Sequence, residues 1–112
     1  MTDIALILFA AAAVGGLIMA AKIMRGSTAP WPLSIAHAAL GAGGLVLLLL
    51  PVVAGTGEHL VIPLVILVIA ALGGFFLASF HARKKPSPRA IIAIHAGVAV
   101  LGVLALVNVL YL

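Results

Sequence analysis

Residues 60–82 read LVIPLVILVIAALGGFFLASFHA, a run without a single Asp, Glu, Lys or Arg. A helix needs about 20 mostly apolar residues to cross the hydrocarbon core of a bilayer, and this run has that length. Its patterning is continuous rather than alternating, so it does not read as the strand of a membrane barrel. Three more runs of the same kind appear at about 4–24, 33–54 and 90–112. Four crossings use up nearly all of the 112 residues. The expectation is therefore all-α, with one transmembrane domain over 1–112 and no soluble domain.

Composition agrees with a lipid environment. Hydrophobic residues make up 66% of the chain and charged residues 7%, whereas about a quarter of a soluble domain is charged. Only Thr2 and Asp3 separate Met1 from the first run. That run lacks the basic n-region of a signal peptide and is expected to persist as a helix. There is no Cys, which excludes disulfides, thiolate metal sites and iron–sulfur clusters.

The net charge of +4 would suggest nucleic acid in a soluble protein, but its distribution gives a different reading. Lys22 and Arg25 follow the first run, and Arg83, Lys84, Lys85 and Arg89 join the third to the fourth. The two acids, Asp3 and Glu58, fall on the other side. The positive-inside rule then puts both termini outside the cytoplasm, as expected of a bacterial inner-membrane protein. The partner these charges imply is the lipid bilayer and not nucleic acid. Trp31 and Tyr111 fall at opposite interfaces, where amphipathic rings prefer to lie.

Short loops make successive helices antiparallel neighbours, so the expected architecture is an up-down-up-down four-helix bundle. Pro30, Pro32, Pro86 and Pro88 precede or open helices, where a missing N–H leaves no gap. Gly55 and Gly57 mark the outer turn. At an offset of 58 residues the chain matches itself without a gap: Gly15-Gly16 with Gly73-Gly74, Arg25 with Arg83, Pro30 with Pro88, His37-Ala38 with His95-Ala96, Gly44 with Gly102. Ala and Gly matches carry little weight in this composition, but Arg, Pro and His fall into register together. The bundle is thus expected to consist of two tandem two-helix repeats, about 1–58 and 59–112, related by an axis along the membrane normal.

His37 and His95 then share one depth, about 9 Å inside the basic end at 1.5 Å per residue. They sit on diagonal helices, and a stripe of small residues accompanies each: Gly41 and Gly44 for His37, Ala99 and Gly102 for His95. Ionisable groups inside a membrane usually face the bundle interior and usually mark function. The alternative is that both imidazoles only bond between helices. Zinc wants about four ligands, and this interior has no Cys or carboxylate to complete the set. A porphyrin brings four nitrogens of its own and needs only axial ligands. The expected cofactor is therefore one haem b per chain, with His37 and His95 as its metal ligands. Gly16 and Gly74 would give the macrocycle room, and Arg25, Arg83, Lys84 or Arg89 would neutralise its propionates. Ser34 and Ser79 are candidate supports, while His59 and His81, at the ends of the third run, have no assigned role.

With histidines on its second and fourth helices, the chain resembles the four-helix core of membrane b-type cytochromes, such as the cytochrome b of quinol-oxidising complexes. The resemblance covers the bundle and one ligand pair, and it implies haem binding and electron transfer. That family carries a second His about fourteen residues further along each helix, where this sequence has Pro51 and Val109, so a single haem is expected. No paired carboxylates, activated nucleophile or phosphate-cradling loop appears, which favours an electron-transfer protein with a redox partner over an independent enzyme. Two other readings stay open: a structural or assembly subunit whose small-residue stripes mediate helix association, homo-oligomers included, and a small repeat transporter, which would need a polar path that no helix supplies.

Overall fold

The computed structural model describes residues 1–112 as four α-helices with no strand. α1 spans Thr2–Met24, α2 Trp31–Val53, α3 Val61–Ala82 and α4 Arg89–Tyr111, and a single 3-10 turn, Glu58–Leu60, leads into α3. All four helices are long and apolar enough to cross a membrane. The molecule measures 44 × 21 × 19 Å, longer than the hydrocarbon thickness of about 30 Å.

Local chemistry sets the helix ends. Pro30 and Pro88 cap α2 and α4 from extended backbone, with φ −65° and −63°, the only φ region open to proline. α2 starts at Trp31, two residues before the apolar run, because Pro32 falls in the first turn, where no N–H is required. α1 likewise begins at Thr2: the Ala5 amide donates to the Met1 carbonyl at 3.1 Å, and Asp3 places a negative charge in the first turn, where the helix dipole favours it. α1 and α3 end in left-handed residues, Gly26 (φ 86°) and Lys84 (φ 56°). The next amides, of Ser27 and Lys85, reach back to the carbonyls of Lys22 and Phe80, at 2.9 Å each, which satisfies acceptors that a helix end would otherwise leave free. Gly57 is confined by space: a Cβ there would lie 2.8 Å from the Val52 nitrogen.

α1 packs along α2, and α3 along α4; the two hairpins meet more sparsely, through α2 with α3 and α1 with α4. The diagonal pairs, α1 with α3 and α2 with α4, make no close backbone approach. The core lies towards the end holding Asp3 and Glu58. Ala5, Phe9, Leu48, Leu60, Leu64, Leu67 and Leu106 form one cluster there, and Leu48, Leu60 and Leu106 are fully buried. Gly44 and Gly102 receive its large side chains: a Cβ on Gly44 would stand 2.6 Å from the Phe9 ring, and one on Gly102 2.7 Å from Leu67. At the same end the Tyr111 hydroxyl donates to the Asp3 carboxylate, tying α4 to α1. The outward faces are apolar, with Ile7, Leu17, Ile35, Leu72 and Leu104 all exposed. Only 15 of 112 residues are buried, as expected where lipid replaces water around the outer surface.

Candidate functional site

The opposite end of the bundle is hollow. A cavity of about 370 Å³ opens between the hairpins, and His37 and His95 both line it. Each histidine lies six residues into its helix, His37 on α2 and His95 on α4. Their ring centres are 6.2 Å apart and their planes 77° from parallel.

Each ring is held from the neighbouring helix of its own hairpin. The Nδ1 of His37 bonds the Ala12 carbonyl on α1 at 2.7 Å, and the Nδ1 of His95 bonds the Ala70 carbonyl on α3 at 2.7 Å. A carbonyl only accepts, so Nδ1 carries the proton in both rings, and a neutral imidazole then keeps a bare lone pair on Nε2. The carbonyl can take this second bond because each backbone oxygen has two lone pairs. Space comes from glycine. A Cβ on Gly16 would lie 3.0 Å from Cε1 of His37, and one on Gly74 would lie 3.0 Å from Cε1 of His95. Gly16 and Gly74 therefore make room for the imidazoles themselves, four residues after the carbonyls those rings bond.

The other sequence-derived candidates fall in different places. Gly41 lies one turn beyond His37 and faces open space, with nothing within 4 Å of a Cβ built there. Gly44 and Gly102 lie two turns beyond the histidines, outside the cavity lining, and are filled by Phe9 and Leu67. Arg25 does not line the cavity. Arg83 folds back on its own helix, where Nε donates to the Ser79 carbonyl at 3.1 Å and the guanidinium lies over the Phe80 ring, 4.9 Å from its centre. Ser79 is occupied in turn, its hydroxyl donating to the Phe76 carbonyl at 2.6 Å.

The cations that do line the cavity are Lys85 and Arg89, accompanied by Ser34 and His81. Lys85 was not among the residues the sequence offered for a cofactor. It reaches the rim because the left-handed turn at Lys84 folds the chain back, and residue spacing along a helix says nothing about a loop. His81 stacks flat on Trp31, with ring centres 3.9 Å apart and planes 7° from parallel, bridging α3 to α2. His59 sits exposed in the 3-10 turn at the other end.

Nowhere do three or more His, Cys, Asp or Glu side chains gather as a set able to hold a metal ion. A site built on His37 and His95 therefore supplies two nitrogens and no more, which suits a group that brings its remaining ligands with it. Comparison with known proteins finds no matching family model, no matching curated protein and no matching solved structure.

Proposed function

We propose that the chain is a small integral membrane b-type cytochrome that holds one haem between His37 and His95 and passes single electrons to and from a redox partner. The observation that carries this reading is the matched pair of Nδ1 bonds, at 2.7 Å each, which leave two Nε2 lone pairs on rings 6.2 Å apart. A metal held between two imidazoles by bonds of about 2 Å each would need ring centres roughly this far apart. A backbone carbonyl on the far ring nitrogen is also the usual support of a metal-ligating histidine, fixing its tautomer and raising its basicity.

Bound haem would supply one-electron chemistry, and with both histidines committed to holding it the site favours electron transfer over substrate binding. The remaining roles belong to the chain. Ala12 and Ala70 orient the ligands, Gly16 and Gly74 admit the rings, and Arg89 with Lys85 offers positive charge to acidic substituents at the cavity mouth. The packed cluster around Phe9 and Leu67 closes the other end to water.

The surrounding architecture in this reading is an up-down-up-down bundle of two tandem two-helix repeats. It is supported by equivalences at one constant offset of 58 residues: Ala12 with Ala70 as carbonyl partners, Phe9 with Leu67 as fillers of Gly44 and Gly102, and Gly26 with Lys84 as left-handed ends. All six basic residues lie at or near the cavity end, which favours a cytoplasmic cavity mouth and both termini on the other side of a bacterial inner membrane.

The same two bonds favour a second reading, in which the histidines only fasten α1 to α2 and α3 to α4 in a colourless structural subunit. Optical spectra of the purified protein, oxidised and then reduced, separate the two. For the cytochrome, sharp reduced bands of a six-coordinate b-type haem are expected, and His37→Ala and His95→Ala each lose or alter them even with haem added. A well-folded wild type that is colourless and takes up no haem would establish the structural reading instead.

A further inference from the structure

The turns at the basic end share a backbone but not their side chains. Both are left-handed, at Gly26 and at Lys84, and both close through the same amide-to-carbonyl bond at 2.9 Å. The first carries Ile23, Gly26 and Ser27, and the positions 58 residues on carry His81, Lys84 and Lys85. Gly26 is what this backbone takes when only a bend is needed. Lys84 occupies a conformation that disfavours a side chain, and it sets a cation at the same place.

These three residues border a depression of about 620 Å³ that adjoins the histidine cavity, shares Thr28, Ala29, His81, Lys85 and Pro86 with it, and adds Pro30, Trp31 and Lys84. Trp31, stacked on His81, forms one wall, and Thr28 contributes a hydroxyl. The N-terminus of α2 opens beside it without a side-chain cap and without an acid in its first turn, and so adds partial positive charge. Asp3 and Glu58, the only acids in the chain, are at the opposite end of the helices. Two ammonium groups, an imidazole and a hydroxyl with no counter-charge make an anion site, and the outward faces of the helices, with Ile35 and Phe76 exposed, are apolar and suit acyl chains.

We infer that the depression bordered by Trp31, His81, Lys84 and Lys85 binds the phosphate of an anionic lipid headgroup. Basic pockets between helices at the cytoplasmic surface recognise headgroups in this way. The inference rests on the helices lying in a bilayer and does not depend on the cofactor.

Trp31 is the only tryptophan and reports on the site directly. The full-length protein, as purified in uncharged detergent, is titrated with phosphatidylglycerol, phosphatidylcholine or inorganic phosphate while its fluorescence is followed. A saturable change is expected with phosphatidylglycerol, at least tenfold weaker with phosphatidylcholine, and absent with inorganic phosphate. Lys84→Gly, which relieves the left-handed backbone and so keeps the fold, raises the half-saturation point about fivefold, and Lys84→Gly with Lys85→Ser raises it about 25-fold. Equal binding of the two lipids, saturation by inorganic phosphate alone, or unchanged binding in the double variant would each overturn the assignment. The single Lys84→Gly variant, at a residue that borders the depression and not the histidine cavity, separates headgroup binding from any effect of Lys85 on the cofactor.

Discussion

At one end of the bundle, glycines are pressed by large apolar side chains; at the other, they make room for imidazoles. Phe9 presses onto Gly44 and Leu67 onto Gly102, where Leu48, Leu60 and Leu106 are fully buried. Two turns away, Gly16 and Gly74 meet His37 and His95, and a cavity of about 370 Å³ separates the hairpins; between the two ends, Gly41 and Gly97 face open space. In lipid the hydrophobic effect does not draw helices together, so association depends on packing and interhelical hydrogen bonds. The packed end can therefore hold the fold while the hollow end keeps volume and two oriented ring nitrogens available.

This division can be broken by mutation. The largest effect is expected from Leu48→Ala or Leu106→Ala, each destabilising by about 2–3 kcal/mol: a cavity opens, while lipid removes part of the transfer term that a soluble core would also lose. Denaturant unfolding in detergent measures it. Gly44→Ala comes next, at about 1–3 kcal/mol of overpacking against the Phe9 ring, and Phe9→Leu in the same chain should recover part of the loss. Gly16→Ala should cost less in stability, about 1 kcal/mol for the displaced hydrogen bond between His37 and Ala12, yet it should weaken haem uptake, read by titration of the Soret band, by tenfold or more. Gly41→Ala is the control on an open face. With nothing within reach of its methyl, it should gain up to about 1 kcal/mol from helix propensity alone. Lys84→Gly should change stability least, by a few tenths to about 1 kcal/mol, as relief of the left-handed residue is offset by the freer unfolded chain. If Leu48→Ala and Gly41→Ala shifted unfolding equally, the contrast between the packed end and the open face would fail.

The four spans were legible from hydropathy because apolar run length is what a bilayer selects, and residues 60–82 alone pointed to the class. The helix starts moved by one or two residues, since Met1 and Pro30 supply carbonyls just outside the apolar runs. The histidine pair was legible from its matched depth. The roles of the glycines were not. A helix rich in Ala, Gly and Leu on every face has no polar side to define its interior, so nothing in the spacing distinguished Gly44, which receives Phe9, from Gly41, which receives nothing. Arg25, Arg83, Lys84 and Arg89 were singled out because they lie at the basic end; of these Arg89 lines the cavity, together with Lys85. Arg83 instead spends its donors on Ser79, a local preference that becomes visible only once the helix end is built.

Each imidazole is oriented by a bond that closes within its own hairpin, His37 to Ala12 and His95 to Ala70. Biogenesis inherits a sequence of events from this. As the chain leaves the ribosome, the first hairpin can aim its ring before the second has been synthesised, and the second repeats the step without help from the first. Only the meeting of the hairpins remains, and in the proposed cytochrome capture of the haem between them would be the last act of assembly.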